Sequence, residues 1–329
     1  MTIYFKALAT AFPEQVIDNS FFGAVADETQ NPMFMGTKFR RHVGRDLDGS
    51  DLIAQAVKNL ERDEGVDLKT DIDILITNVS VPDAFFMGSG AVVCKKTGLS
   101  ARWIYDLHNT GCISFVFMLD LAASLMKAHG ARSALVCSAQ TAGGRLAAHP
   151  SHRGKPESAI PGDGCGVAYL ANEGRSEVLC SVLENYPDFA EDMYMTHDDG
   201  RRYWEPGQSS PFINFNDEKV AMIMARGNEL VPDVVRKVCD KAGVEVGSID
   251  HLITNQPNLH FLKNWHEALG IPSARHHHTF ERYANLFGAG VPITLAETVA
   301  AGKIRSGELV CLAGFSHAGD YAGATLVRW

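Results

Sequence analysis

The hexapeptide Asp73-Ile-Leu-Ile-Thr-Asn78 returns in the second half of the chain as Asp250-His-Leu-Ile-Thr-Asn255, with five of the six positions unchanged. A second pair of matching tripeptides follows in the same order, Leu135-Val-Cys137 and then Leu309-Val-Cys311. The spacing from the hexapeptide to the tripeptide is 59 residues in the first half (Asn78 to Cys137) and 56 in the second (Asn255 to Cys311). Two ordered matches at nearly equal spacing indicate the duplication of a unit of more than about 100 residues.

Both halves alternate short Val/Ile/Leu runs with longer amphipathic segments. Such runs are typical of strands that helices cover on both faces, which predicts an α/β fold. Because no Ser/Gly/Pro-rich linker separates the halves, we expect residues 1–170 and 171–329 to pack against each other. The predicted strands are 72–77, 133–138, 167–170, 251–254 and 309–313, and the predicted helices are 50–62, 113–128, 218–242, 259–269 and 291–301.

The bulk composition excludes several classes of protein. The chain has 329 residues, is 46% hydrophobic and carries a net charge of −9, whereas nucleic-acid binders are usually basic. Its apolar runs look too short to span a bilayer, and the first residues lack a signal-peptide pattern, so we expect a cytoplasmic protein without a membrane segment. Seven scattered cysteines without CxxC pairs argue against a disulfide framework and against a metal site.

Cys112 is the candidate nucleophile. The strand-like residues 103–107 run into His108-Asn-Thr-Gly111 and then into Cys112 and an apolar segment. This order predicts a tight turn, allowed by Gly111, that opens a buried helix. The positive end of a helix dipole lowers a thiol pKa and favours the thiolate. The alternative is that Cys112 is a small buried hydrophobe, as most free cysteines are.

Five motifs, in order from one end of the chain to the other, resemble one known family. They are Ala11-Phe-Pro-Glu-Gln-Val16, the nucleophile segment 106–123, Gly162-Asp-Gly-Cys-Gly166, Tyr283-Ala-Asn-Leu-Phe-Gly-Ala-Gly-Val-Pro292 and the ending 323–329. Together they resemble the β-ketoacyl-acyl-carrier-protein synthase III branch of the thiolase superfamily. The resemblance implies a thiolase-like, five-layered αβαβα fold from two duplicated halves, a homodimer, and a Cys112 acyl-thioester intermediate. It implies no cofactor beyond a phosphopantetheine or CoA thioester as the donor substrate.

The family's catalytic histidine is missing from its usual motif. The family uses Cys, His and Asn, and its His lies in a His-Gln-Ala-Asn motif where this chain has Asn255-Gln-Pro-Asn258. An asparagine amide can donate a hydrogen bond to a developing oxyanion, but it cannot carry a proton near neutral pH as an imidazole can. The resemblance therefore leaves acid–base assistance to another residue.

The loop before the last strand supplies a candidate for that role. It reads Gly314-Phe-Ser-His317-Ala-Gly-Asp320, and in the family this loop borders the active site. A carboxylate can orient an imidazole and stabilise its charged form. We hypothesise that His317 is the general base, oriented by Asp320, while Asn255 and Asn285 polarise the carbonyl. An ordinary polar surface loop is the alternative.

Other residues are candidates for contacts with the substrate. The tract His276–His278 is the second choice for the base, and His278 is a candidate substrate contact. The tract is a weak candidate for a zinc site, because no spaced set of Cys and His residues accompanies it. His260 is expected at the mouth of the site. Residues Phe85, Phe86 and Met87 resemble the place where the family supplies a pocket-gating aromatic, although core packing is equally possible. Segment 185–215 is predicted to be a long loop over the site that recognises the acceptor.

A second difference from the family's usual sequence predicts which acyl donor the protein uses. Residues 31–36 lack the Trp and Arg that the family's CoA-binding members often place there. This favours an acyl carrier protein over free CoA as the donor, and basic residues at 38–41 and 45 could meet an acidic carrier.

Acyl transfer without condensation, to a hydroxyl, amine or thiol of a small-molecule acceptor, is the leading function. Relatives recruited to secondary metabolism, such as polyketide and antibiotic pathways, resemble this pattern. A decarboxylating ketosynthase that uses Asn255 is the close alternative, and a catalytically silent subunit is the third.

Overall fold

The computed structural model describes residues 2–26, 36–84, 86–108, 110–215 and 217–329. Strands and helices alternate along most of the chain. The strands are β1 (Tyr4–Ala11), β2 (Val16–Asp18), β3 (Phe39–Arg41), β4 (Ile74–Val79), β5 (Trp103–Asp106), β6 (Ser133–Gln140), β7 (Gly164–Ala171), β8 (Ser176–Asn185), β9 (Met193–Thr196), β10 (Phe212–Phe215), β11 (His251–Thr254), β12 (His276–His277), β13 (Leu309–Ser316) and β14 (Tyr321–Arg328). The helices are α1 (Gly49–Glu64), α2 (Gly90–Thr97), α3 (Ser114–His129), α4 (Val220–Ala242), α5 (Leu259–Leu269), α6 (Phe280–Tyr283) and α7 (Gly290–Ala300).

The two halves of the chain arrange their strands in the same order. The first half contributes β5-β4-β6-β7-β1 and the second contributes β12-β11-β13-β14-β8. A short antiparallel contact, Tyr4 with Glu177 and Phe5 with Ser176, joins β1 to β8 and makes one ten-stranded sheet. The repeated hexapeptides lie on β4 and β11, and the repeated tripeptides lie on β6 and β13. The repeat in the sequence therefore corresponds to a repeat of strand order.

Three apolar clusters define the layers. The central cluster joins α3 and α7 to strands of both halves, through side chains such as Phe115 and Leu295. A second cluster packs α1 against the strands of the first half, and a third packs α4 and α5 against those of the second. Helices thus lie outside each half-sheet and between the two. This is the five-layered αβαβα arrangement, and the predicted fold class is confirmed.

One apolar segment is longer than the sequence analysis allowed. Gly111–His129 has a mean hydropathy of 1.6 and enough length to cross a membrane, by length and composition only. In the structure, α3 occupies most of this segment within the central layer, and Phe115, Leu119 and Met126 are fully buried there. The apolar residues of the segment serve the core, whereas Ser124, Lys127 and His129 near its end are exposed.

Segment 185–215 was predicted to be a loop, but it contains a small β-ribbon. Strands β9 and β10 pair in antiparallel register, from Phe212 with Thr196 to Phe215 with Met193. The short runs Met193-Tyr-Met-Thr196 and Phe212-Ile-Asn-Phe215 are rich in aromatic and apolar residues, which suit strands. This pairing could not be predicted from periodicity, because the two runs are short and charged residues lie between them.

Candidate active site

Cys112 lies in a tight turn that precedes the central helix α3. Residues Gly111–Ile113 form a single 3-10 turn, and α3 begins at Ser114. Both Thr110, with φ of 69°, and Gly111, with φ of 38°, have left-handed backbone conformations. Gly288 approaches this turn so closely that a Cβ there would lie 2.8 Å from the carbonyl oxygen of Gly111. The predicted turn at the start of a buried helix is present.

The helix start does not activate the thiol in the way that the sequence suggested. Burial raises the pKa of Cys112 to about 12, and the negative charge of Asp320 adds to this effect. A hydrogen bond from Asn255 acts in the opposite direction but does not overcome burial. The expected lowering of the pKa by the helix dipole is therefore wrong, because removal of the thiolate from water outweighs the dipole. At neutral pH the resting group is a thiol that needs a base.

His317 and Asp320 form a hydrogen-bonded pair beside the nucleophile turn. Nδ1 of His317 lies 3.0 and 2.9 Å from the two carboxylate oxygens of Asp320. Because a carboxylate accepts, Nδ1 carries the proton and Nε2 is left as the basic nitrogen. Nε2 faces the turn, since a Cβ on Gly111 would lie 2.8 Å from it. This arrangement places the basic nitrogen next to the turn that carries Cys112, as the hypothesis requires.

His317 has an unusual backbone conformation. Its φ is 50°, in the left-handed region that favours glycine. Such a conformation costs about 1–3 kcal/mol and persists only where the surroundings enforce it. One such contact is the hydroxyl of Ser316, which donates to the carbonyl oxygen of Thr110 at 2.7 Å. This bond ties the histidine turn to the nucleophile turn. Ser316 was not among the residues predicted from the sequence, although it stands next to His317 in the loop.

Asn255 lies next to the thiol, but its amide is largely occupied. Its Nδ2 donates to the carbonyl oxygen of Phe315 at 2.9 Å, and its Oδ1 accepts from the Phe315 amide at 3.3 Å. The side chain is buried close to Cys112, and its amide acts to lower the pKa of that thiol. Asn255 therefore fastens the end of β11 to β13 and contacts the nucleophile. Its role in polarising a substrate carbonyl stays a prediction.

Asn285 is held in a buried loop next to the same turn. Its Oδ1 accepts from the Phe287 amide at 3.0 Å, and its backbone bridges to Pro161. The loop continues directly to Gly288, which packs on the nucleophile turn. The structure therefore brings the Asn285 loop, Asn255 and the His317–Asp320 pair around Cys112.

The other candidate contacts lie farther out. His260 is exposed on the first turn of α5. Phe86 and Met87 are 92% and 71% exposed, so they are not core residues in the single chain, and Phe85 lies outside the described residues. Residues 31–35, from which the choice of donor was inferred, also lie outside the described part of the chain.

The histidine tract lies at the opposite edge of the sheet from β5, the edge strand of the first half. His276 is buried in β12, where it bonds Thr254 and the Leu262 carbonyl, and burial lowers its pKa to about 3. His278 lines an open cavity of about 300 Å³ with Arg282, Glu297 and Lys303, and Cys112 is not among its lining residues. Within the described ranges, no group of three or more His, Cys, Asp or Glu side chains could hold a metal ion.

The predicted basic surface at residues 38–41 is only partly present. Arg40 is fully buried, and its guanidinium donates to Asn19 and to the Ala159 carbonyl, both at 2.8 Å. Lys38 pairs with Glu281 at the surface. Arg40 therefore cannot meet an acidic carrier as predicted, because it serves the interior, whereas Arg45 is exposed.

The raised pKa of Cys112 gives a testable pH dependence. In a His317→Ala variant, only the thiolate should react with iodoacetamide, so the alkylation rate at Cys112 should keep rising between about pH 7 and pH 10.5. An exposed thiol, with a pKa of about 8.5, would level off within that range. Peptide mass spectrometry against N-acetylcysteine as the reference thiol measures the difference. Levelling at the same pH as the reference would contradict the effect of burial.

Comparison with known proteins agrees with this geometry. The family model described as 3-oxoacyl-(acyl-carrier-protein) synthase III matches residues 105–187, and its C-terminal model matches residues 239–329, together more than half of the chain. A β-ketoacyl-(acyl-carrier-protein) synthase III of Clostridium perfringens is 25% identical over 88% of this chain and 87% of its own length. One from Erythrobacter litoralis is 28% identical over 98% of each chain.

Solved structures show the same architecture. The synthase III of Thermus thermophilus superimposes with a TM-score of 0.84 over 99% of both chains, at 27% identity. An OleA protein of Xanthomonas campestris has a TM-score of 0.81, covers 100% of this chain and 97% of its own, and is 18% identical, which shows the fold alone. With its nucleophile turn, its Asn285 loop and its duplicated half-sheets in the expected places, the chain belongs to the 3-oxoacyl-(acyl-carrier-protein) synthase III family of thiolase-fold transferases.

Proposed function

We propose that the chain transfers an acyl group from a carrier-bound thioester to a nucleophilic acceptor, through Cys112 and without condensation. The observation that carries the proposal is the His317–Asp320 pair, whose free Nε2 faces the nucleophile turn. The family's usual histidine position is occupied by Asn255, which cannot carry a proton. A general base is what an O–H, N–H or S–H acceptor requires, because its proton must leave as the acyl bond forms.

The first half-reaction loads the enzyme. The Cys112 sulfur attacks the thioester carbonyl while its proton passes to Nε2 of His317. The tetrahedral intermediate collapses, the bond to the donor sulfur breaks, and the departing thiolate takes the proton from Nε2. The products are an acyl-Cys112 thioester and the free donor thiol. Asp320 stabilises the imidazolium that forms between these two proton transfers.

The second half-reaction unloads the enzyme by the same route. The acceptor hydroxyl, amine or thiol attacks the acyl carbonyl and gives its proton to Nε2 of His317. The carbon–sulfur bond to Cys112 then breaks, and the proton returns from Nε2 to the Cys112 sulfur. No carbon dioxide is released, and no carbon–carbon bond forms. We propose that the segment around β9 and β10 recognises the acceptor. The cytoplasmic location and the link to secondary metabolism remain predictions.

A decarboxylating ketosynthase is the second candidate. The names of the curated relatives favour it, since those proteins are called β-ketoacyl-(acyl-carrier-protein) synthase III. Condensation needs donors aimed at the oxygen of the developing enolate. The amide of Asn255 already donates to the Phe315 carbonyl, which leaves at most one N–H of that amide for the role. This contact argues for plain transfer.

We further propose that two copies pair along β5, which lies at one edge of the sheet. The exposed loop with Phe86 and Met87 adjoins this strand, because a Cβ at Gly88 would overlap the carboxylate of Asp106. Ile104 on β5 is itself 38% exposed. An edge strand flanked by exposed apolar side chains is a surface that a second copy could cover.

Intact-protein mass spectrometry tests the proposed transfer. The protein is incubated with acyl thioesters on acyl carrier protein and on CoA, malonyl included. The expected result is an adduct that is absent from the Cys112→Ala variant and lost when the acceptor is added. A malonyl adduct that keeps its carboxylate supports plain transfer. Loss of carbon dioxide would favour the ketosynthase, and the absence of any adduct would favour the silent subunit.

A further inference from the structure

Arg226 on α4 contacts the turn that carries His317. Its Nη1 donates to the carbonyl oxygen of Ala318 at 2.7 Å, between the two members of the His317–Asp320 pair. Gly319 packs directly on the same side chain, since a Cβ there would lie 2.5 Å from Cδ of Arg226. An alanine at position 319 would therefore clash with the aliphatic part of the Arg226 side chain. The turn and Arg226 are thus in close packing contact.

Arg226 is itself held from its other side. Its Nη1 also donates to Oδ2 of Asp192 at 3.0 Å, and Asp192 accepts from Lys219 at 2.6 Å. The guanidinium carbon lies 3.5 Å from the centre of the Phe189 ring. The side chains of Arg226 and Asp192 are 11% and 3% exposed, so this ion pair is shielded from solvent. These contacts restrict the orientation of the planar guanidinium.

The segment 186–192 also contacts the turn directly. The amide of Tyr186 donates to the carbonyl oxygen of Asp320 at 2.7 Å. The turn is thus held at Ala318 by Arg226 and at Asp320 by Tyr186, with Ser316 bonded to Thr110 on the nucleophile side. These contacts surround His317, whose left-handed backbone needs such support.

We propose that Arg226 is a positioning residue that acts through the Ala318 carbonyl to hold Nε2 of His317 against the Cys112 turn. The inference rests on the proposed role of His317 as the base. Arg226 touches neither the thiol nor the reacting atoms. Its loss lets the turn relax and moves the imidazole away from the thiol, and a displacement of about 1 Å can slow a reaction about 100-fold.

The test uses iodoacetamide, which needs no knowledge of the natural substrate. The carbon–sulfur bond forms as iodide leaves, and at neutral pH the thiol proton passes to His317. Peptide mass spectrometry gives the alkylation rate at Cys112. We expect Arg226→Met to lower the rate at neutral pH by about 10- to 100-fold. The rates should converge as the pH approaches the raised pKa of Cys112, where the thiolate forms without a base.

Arg236→Met is the matched control. Arg236 lies on the same helix and also donates to a backbone carbonyl, that of Ala268 at 2.7 Å, but it is remote from the turn. We expect wild-type alkylation in this variant. A general structural role for Arg226 would lower the melting temperature and leave the ratio of neutral to alkaline rates unchanged, which would overturn the proposal.

A double variant separates this inference from the proposed function. If Arg226 acts through His317, adding Arg226→Met to His317→Ala should slow alkylation no further than His317→Ala alone. If His317→Ala reacts like the wild type, the proposed base is wrong. If His317→Ala is slow while Arg226→Met reacts like the wild type, only the positioning role is wrong. If Arg226→Met fails to fold, Asp192→Asn replaces it in the same assay. A wild-type alkylation rate of Asp192→Asn at neutral pH would overturn the proposal.

Discussion

Replacing His317 with alanine should slow acyl transfer by about 10²- to 10⁴-fold, the range that general acid–base assistance usually contributes. The physical reason is the pKa of about 12 at Cys112, which leaves almost no thiolate at neutral pH. Without Nε2, the proposed base is lost, since the amide of Asn255 cannot take up a proton near neutral pH. Single-turnover loading from the donor identified by mass spectrometry measures the effect on the first half-reaction alone.

His266→Ala is a suitable control for that experiment. His266 is a half-buried histidine on α5 that bonds the Ile271 carbonyl at 3.2 Å, away from the nucleophile turn. We expect wild-type loading from this variant. Asp320→Asn should lie between wild type and His317→Ala, because an amide can still hold the imidazole but stabilises its charge less. Full activity of His317→Ala would refute the proposed base.

Asp163→Ala should lower the free energy of unfolding by at least about 3 kcal/mol. The carboxylate of Asp163 is fully buried and accepts from three backbone amides, those of Val43, Gly143 and Gly144, at 2.7–2.9 Å. Each buried N–H left without a partner costs about 1–3 kcal/mol. Since whole domains are stable by only about 5–15 kcal/mol, the loss should be obvious in a urea titration.

Two further variants define the origin of that loss. Asp163→Asn keeps the shape and one acceptor oxygen, so its effect should be smaller than that of alanine. Asp46→Ala removes an exposed carboxylate from the loop before α1 and should change stability little. Equal stability of Asp163→Ala and Asp46→Ala would show that the three amides find other partners.

The architecture could be identified from the sequence alone because local patterns of residues indicate its strands and helices. The matched hexapeptides and tripeptides marked equivalent strands, and the buried runs and amphipathic segments located most of the central strands and helices. The boundaries of α5 and β11 agree with the prediction to the residue. Periodicity failed where elements are short, as in the ribbon of β9 and β10, because three or four residues carry too few repeats.

Single residues in motifs were also informative about the site. Cys112, Asn255, Asn285, His317 and Asp320 were chosen from their neighbours along the chain, and the fold brings the turns that carry them together. The pairing of His317 with Asp320 could be inferred from the sequence, because two residues three positions apart in one tight turn must lie close in space. Their catalytic roles remain predictions for the variants described above.

Only the tertiary structure decided how each side chain is solvated and held. It removed the thiol of the half-buried Cys112 from water and so raised a pKa that the helix start alone would lower, and it placed Arg40 in the interior. It also brought Arg226 from a distant helix to the His317 turn. Burial and such long-range contacts depend on how layers stack, which no local stretch of sequence encodes. Most central strands, most helices and the candidate residues came from sequence patterns, whereas strand order, proton affinity and positioning came from the packing of the layers.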